Sequence, residues 1–225
     1  MTDLGPLTSF LGLEIERNCN QRTLHLSQKR YIEKVLLQYG LECCNPAITP
    51  ADPHVHLEKS TPEFEGIPEN NRKSQSAVGS LIYTMLGSRR DIAYAMAKVC
   101  QYHTNPDITH SSALKRLLRY LAGRLNRCLC YGIHRLGYGF TDAVWPSSKD
   151  RRSIGGYTLL LNRAGICWNS KQQTTVALSS TESEFMALTQ AVMKSLWIQG
   201  ILQDLGARQH MEEICHIKID DQGAL

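Results

Sequence analysis

No stretch of the 225 residues reaches the roughly 18 consecutive apolar positions that a membrane span needs. The opening MTDLGPLTSFLGLEIERN also lacks a charged leader followed by a long apolar run. Membrane insertion and secretion are therefore not expected, and an intracellular setting is, whether a cytoplasmic particle or the nucleus. The 8 cysteines, at 19, 43, 44, 100, 128, 130, 167 and 215, include no pair of Cys-x-x-Cys elements and no matching histidine spacing. That pattern excludes a zinc ribbon or a disulfide frame and leaves reduced thiols. Charge of one sign is scarce as well, with a net of only +4. The basic residues are nevertheless bunched, at Lys29-Arg30, Arg72-Lys73, Arg89-Arg90, Lys115-Arg116 with Arg119, and Arg151-Arg152. Such bunching permits an anionic partner without demanding one.

What is present is enough apolar content, 42%, to bury a core. SFLGLEIER alternates apolar and polar positions, NCNQ supplies a turn and TLHLSQ alternates again, which predicts a β-hairpin over residues 9–27. SQKRYIEKVLLQYGL then carries Tyr31, Val35, Leu36 and Leu37 at helical spacing, with Gly40 where a C-cap is expected. From Thr49 to about Asn71 the periodicity dissolves into a proline-rich segment, read as a linker or surface loop. Helical spacing returns in SQSAVGSLIYTMLG, in RDIAYAMAKVCQYHTN and in THSSALKRLLRYLAG. In the last of these Leu114, Leu117, Leu118 and Leu121 form the apolar stripe and Gly123 the stop.

After Gly132 the period changes from 3.6 to 2. GYGFTDA, IGGYTLLLN and GICWNSKQ read as three strands, NRAG as the turn joining the last two, and a long helix runs from the serine cluster to ILQDLG before a final strand in CHIKID. Strand, strand, strand, helix, strand implies an antiparallel array and then a right-handed crossover that sets the last strand parallel to an earlier one. The predicted fold class is α/β, α+β overall, with a mixed sheet in the C-terminal half preceded by a β-hairpin and a helical region. The expected divisions are 1–50, a linker over 51–72, a helical region over 73–131 and the mixed-sheet domain over 132–225.

The segment ALSSTESEF, residues 177–185, holds two glutamates at the start of the long helix. Ser179-x-x-Glu182 and Thr181-x-x-Glu184 both fit a capping box, but a helix has one N-cap. At about 100° per residue, Ala187, Leu188, Ala191 and Ser195 lie within about 60° of Glu184, whereas Glu182 points about 160° away. Glu182 is thus assigned to the helix start with Ser179, and Glu184 to the sheet-facing row, where a carboxylate needs partners. Asp142 and Asp220 close two strand candidates, GYGFTD and HIKID, and carboxyl ends of strands beside a crossover are where α/β sites form. Both aspartates also suit turns. Three oxygen donors without His or Cys suit Mg²⁺ or Mn²⁺ rather than zinc.

The run YGFTDAVW, DRRSIGGYTLLLNRAGICWNSKQQTTVALSSTESEFMAL, SLWIQGIL and IKIDDQGA resembles the ribonuclease H domain of copia-type (Pseudoviridae) retrotransposon polyproteins. That family runs through Y-S-D-A-D-W, D-R-R-S-T-S-G-Y, S-W-x-S-K-x-Q, A-L-S-S-T-E-A-E-Y and C-D-N-Q motifs in the same order. Upstream, FLGLEIERN, LHLSQKRYIEKVLLQYGLECCNPAITP, AVGSLIYTMLGSRRDIAYAMAKVCQYHTNP and HSSALKRLLRYLAG resemble the end of the family's reverse transcriptase and the thumb or connection segment that follows. The resemblance covers nearly the whole chain. It implies a ribonuclease H-like mixed sheet and a hydrolase of the RNA strand in RNA–DNA hybrids. Two Mg²⁺ or Mn²⁺ ions would activate a water and stabilise the departing 3′-oxygen. Asp142, Glu184 and Asp220 match catalytic, metal-holding acids of the family. Phe10, Leu11 and Gly12 match its primer-grip hairpin, although Phe10 and Leu11 also fit ordinary strand core. Lys115, Arg116 and Arg119 are candidates for a nucleic-acid backbone or for a solvated face, Arg151 and Arg152 for a loop that approaches phosphate, and Trp145 and Trp168 for packing. The implied partners are an RNA–DNA hybrid or other nucleic acid and the rest of a polyprotein.

Three departures shape the expectation. The polymerase's paired aspartates would precede residue 1, Val144 stands where the family has a second aspartate, and the fourth ribonuclease H acid would lie beyond Leu225. The chain therefore reads as a fragment with an impaired site, and the alternative is a non-enzymatic retroelement remnant, inert or binding nucleic acid through its basic helices.

Overall fold

The computed structural model describes residues 5–60, 68–132, 137–144, 151–207 and 216–219. The chain divides into two compact units, one of residues 1–16 and 25–129, the other of residues 17–24 and 130–225.

In the first unit β1 (Ser9–Phe10) pairs antiparallel with β2 (Leu13–Asn18), in the register Phe10 to Leu13. The expected continuous strand is therefore broken at Leu11 and Gly12, whose φ angles of 47° and 71° make a tight two-residue turn. The Tyr83 hydroxyl donates to the Leu11 carbonyl, and a Cβ on Gly12 would sit 2.7 Å from that hydroxyl. Only glycine fits there, which the alternation pattern alone does not reveal. β3 (Thr23–Ser27) and β4 (Leu129–Tyr131) are the next strands in chain order.

Helix α1 (Lys29–Gln38) ends as its sequence predicts. Gly40 has φ 63°, its N–H donates to Leu37 O at 3.1 Å, and Leu41 N–H donates to Leu36 O at 2.9 Å. This is a Schellman closure with the Leu36–Leu41 apolar contact that accompanies it. α2 (Pro68–Gly87), a 3₁₀ turn (Arg90–Ile92), α3 (Ala93–Cys100) and α4 (Ile108–Ala122) complete the unit. Their common core includes Ile32, Leu36, Leu81, Met96, Leu117 and Leu121. The leucine stripe read from α4 is buried throughout. Asp107 caps α4, its carboxylate accepting from Thr109 N and His110 N at 2.8 and 3.0 Å. Gly123, by contrast, has φ −75° and is not a left-handed stop. Its missing side chain makes room for Pro46, whose Cβ would meet an added Cβ at 2.7 Å.

Arg89, one of the bunched cations, is only 1% exposed. Its Nε and Nη2 hold the two carboxylate oxygens of Asp91 at 3.0 and 2.9 Å, and Nη1 donates to Arg124 O at 3.1 Å. Tyr120 Oη and Arg127 Nη1 join the same Asp91 oxygen at 2.7 and 3.2 Å. Burial pushes the Asp91 carboxyl up, but the bonds from Arg89 and Tyr120 and the charge of Arg127 outweigh it and hold the group below the ordinary carboxylate range.

The second unit contains β5 (Gly137–Val144), β6 (Ile154–Leu161), β7 (Ala164–Gln172), α5 (Ser180–Asp204) and β8 (His216–Lys218). The sheet order is β7-β6-β5-β8; the first three strands are antiparallel and β8 runs parallel to β5. Asn162 and Arg163, with φ 50° and 71°, form the two-residue turn between β6 and β7. The protein is thus a mixed α/β structure. No helix among the described residues is long and apolar enough to cross a membrane, and the seven cysteines among them are free thiols.

Removing the buried cation should expose its role. Arg89→Met, which leaves Asp91 without its bidentate partner, is expected to lower stability by about 3–5 kcal/mol in urea unfolding at pH 7. Because the folded pKa of Asp91 is depressed, this network's contribution is complete above the ordinary aspartate value of 3.8. It disappears as pH falls through the lower folded value, so the stability difference between wild type and Arg89→Met should shrink in acid.

Candidate functional site

The site is built where α5 meets β5. Ser179 caps α5 with extended backbone, its Oγ accepting from Glu182 N at 3.1 Å. Glu182 Oε2 reaches back to Leu178 N at 2.6 Å, one residue beyond the reciprocal partner of a standard capping box. Glu182 is therefore a helix-start residue. Glu184 lies on the opposite side, 5% exposed, in one row with the buried Ala187, Ala191 and Ser195.

Close approach of helix and sheet lets Glu184 reach the strand. A Cβ on Gly155 would lie 3.3 Å from Ala187 Cβ and 3.2 Å from Gln173 Nε2, and Gly155 pairs with Ala143 across β5–β6. With that space empty, Glu184 Oε1 accepts from Ala143 N at 2.8 Å. Glu184 is thus brought to the residue that follows Asp142. Asp142 itself is exposed and pairs with Gly156. Asp220 and Trp145 lie outside the described residues. Among the described residues no group of three His, Cys, Asp or Glu stands close enough to hold a metal ion.

Arg151 and Arg152 are exposed, and Arg151 has φ 50°. They lead into Ser153, which is fully buried and whose carbonyl accepts from Gln173 N at 2.8 Å. Gln173 Nε2 in turn donates to Ser183 O at 2.8 Å. One glutamine therefore ties the arginine loop to the first turns of α5. Periodicity does not single out Gln173, but it ends the S-W-x-S-K-x-Q stretch, where a polar side chain after a strand was the available signal. Trp168 is half-buried, as a packing residue should be.

In the first unit Phe10 and Leu11 are 55% and 72% exposed at the hairpin turn, which removes the strand-core reading. The α4 cations part company. Arg116 holds Asp52 Oδ2 at 3.0 Å and Thr49 Oγ1 at 2.9 Å. Arg119 Nε donates to Asn45 O at 2.6 Å. Lys115 is exposed.

The chain is 40% identical over 217 residues to the retrovirus-related Pol polyprotein from transposon TNT 1-94 of Nicotiana tabacum, a match that covers 93% of this chain and 16% of that polyprotein. It is 36% identical over 202 residues to the uncharacterized mitochondrial protein AtMg00810 of Arabidopsis thaliana, across 88% of this chain and 80% of that protein. The chain belongs to one family with AtMg00810, and it is similar to a stretch of the much longer transposon Pol polyprotein. A third relative in that family, the secreted RxLR effector protein 161 of Plasmopara viticola, is 42% identical over 130 residues, which is 55% of this chain and 89% of the relative. No family model and no solved structure matches the chain.

The division of labour between the two glutamates is open to measurement. Ser179→Ala should cost about 1 kcal/mol of stability, as lost helix caps do, and Glu182→Ala should cost a comparable amount. In urea unfolding the double variant should lose less than the sum of the two single losses, because both act on one helix start.

Proposed function

We propose that residues 132–225 form a ribonuclease H module that hydrolyses the RNA strand of RNA–DNA hybrids, and that residues 1–131 are the closing part of a reverse transcriptase. The observation that carries this reading is the buried Glu184 carboxylate, set at the end of β5 beside Asp142. Asp142 and Asp220 each follow by two residues the last pair of the parallel ladder, Phe140 and Lys218. Similarity to a stretch of a transposon Pol polyprotein supports the same assignment.

Asp142, Glu184 and Asp220 are the residues that would hold Mg²⁺ or Mn²⁺, two ions in an intact family site; an all-oxygen donor set fits such hard ions. When bound, the ions activate a water and stabilise the departing oxygen. The protein's own work is positional. Gly155 admits α5 to the sheet, the Ala143 N–H orients Glu184, and Arg151 and Arg152 offer exposed cations to the hybrid's phosphates. Phe10, Leu11 and Gly12, exposed at a rigid turn, are suited to meet the end of a primer strand. The rest of a Pol polyprotein is the natural partner.

The full chain should cleave a labelled RNA–DNA hybrid in Mg²⁺ or Mn²⁺ and not in EDTA, with cleavage abolished by Asp142→Asn and by Glu184→Gln. If instead the hybrid binds with steep salt dependence, but without cleavage and regardless of Mg²⁺ or Asp142, the chain is a non-enzymatic remnant that binds nucleic acid.

A further inference from the structure

The first unit contains an open pocket of about 450 Å³ between α3, α4 and the loop at residues 50–57. Its inner lining is apolar, formed by the buried Ala95, Val99 and Leu117 with the half-buried Ala113 and Leu57, and the exposed Val55 adds to it. A slack loop would collapse onto such walls, since protein interiors pack as densely as organic crystals. This loop is held at both ends. Arg116 clamps Thr49 and Asp52 at one end, and Tyr102 Oη donates to the Leu57 carbonyl at 2.9 Å at the other. Between them Asp52 Oδ1 accepts from His54 N at 3.1 Å and tightens the turn. With small side chains at 95 and 113 on the floor, the space is built in, and its volume falls in the range of about 300–1,000 Å³ typical of small-molecule sites.

The polar lining is mostly cationic. Among the described residues of the lining, Lys98, Lys115, Arg116 and Arg119 face a single acid, Asp52, which Arg116 already matches at 3.0 Å. Lys98 rests 4.9 Å from the Tyr94 ring, and Lys115 is exposed. The surplus is positive, above apolar walls. We propose that this pocket binds a small amphiphilic anion of the medium-chain carboxylate class, its chain between α3 and α4 and its carboxylate at Lys98 and Lys115. A nucleic-acid strand would satisfy the cations but leave the apolar depth empty. The proposal uses only the first unit and stands apart from the ribonuclease H reading.

Titration calorimetry of the full chain with octanoate and with 1-octanol tests it. Octanoate should bind saturably at one site, and octanol, which has the chain without the charge, about ten-fold more weakly, equivalent to about 1.4 kcal/mol. The double variant Lys98→Gln/Lys115→Gln should lose about ten-fold for octanoate and nothing for octanol. Ala113→Phe, checked for fold by circular dichroism, should abolish both, and the lysine pair carries the test alone if that variant does not fold. Absent octanoate saturation, equal binding of octanol, or an unchanged affinity in the lysine variant would each overturn the proposal. Displacement of octanoate by a single-stranded oligonucleotide would overturn it too, by making the rim a nucleic-acid contact.

Discussion

A guanidinium that is 1% exposed cannot be left without partners, and the first unit is arranged around that requirement at Arg89. The cation follows α2, and its acid, Asp91, is the middle residue of the 3₁₀ turn that leads into α3. The Arg124 backbone carbonyl beyond α4 accepts from the guanidinium, while Tyr120 in α4 and Arg127 donate to the Asp91 carboxylate. The bidentate geometry fixes direction as well as distance, so the relative placement of α2, α3 and α4 is specified by hydrogen bonds as well as by apolar packing. Apolar burial alone tolerates sliding; a planar fork on a carboxylate does not. The position of α3 against α4, and hence the floor of the pocket between them, follows from this one charge.

The second unit meets the same problem with the opposite sign. Glu184 is a buried carboxylate, and the backbone N–H of Ala143 in β5 donates to its Oε1 at 2.8 Å. Gly155 and Gln173 are the supporting conditions: one by having no side chain, the other by bonding both Ser153 and Ser183.

Periodic features were legible and positional ones were not. The α4 leucine stripe, the Gly40 closure, the change from period 3.6 to 2 after Gly132 and the opposite faces of Glu182 and Glu184 all follow from repeating geometry, and the structure has them. Arg89 reads in the sequence as one of several paired cations, because nothing local distinguishes a buried guanidinium from a solvated one. The break at Leu11–Gly12 hides inside a good alternation, since its cause is Tyr83, 72 residues away. Gly123 looks like a left-handed stop when its role is to admit Pro46. The proline-rich segment reads as a linker or surface loop, and residues 51–60 are a loop, whose clamps, Arg116 and Tyr102, lie elsewhere in the chain. Apart from Asp91, two residues from Arg89, the partners behind these misses are distant in sequence.

Sorting the cations this way also changes where a nucleic-acid contact is plausible on physical grounds. Arg89 and Arg116 are engaged by carboxylates, and Arg119 by the Asn45 carbonyl, so a phosphate would have to compete with bonds already formed. Lys115 remains, but it borders an apolar pocket. Arg151 and Arg152, in contrast, are exposed on a loop whose base is fixed through Ser153 and Gln173 to the same helix turns that carry Glu184. A cation on an anchored loop loses less conformational freedom when it binds an anion than one on a slack loop. Free charge and the buried acid are thus linked by two hydrogen bonds within one unit, so any phosphate held by that loop is positioned relative to Glu184 by the fold.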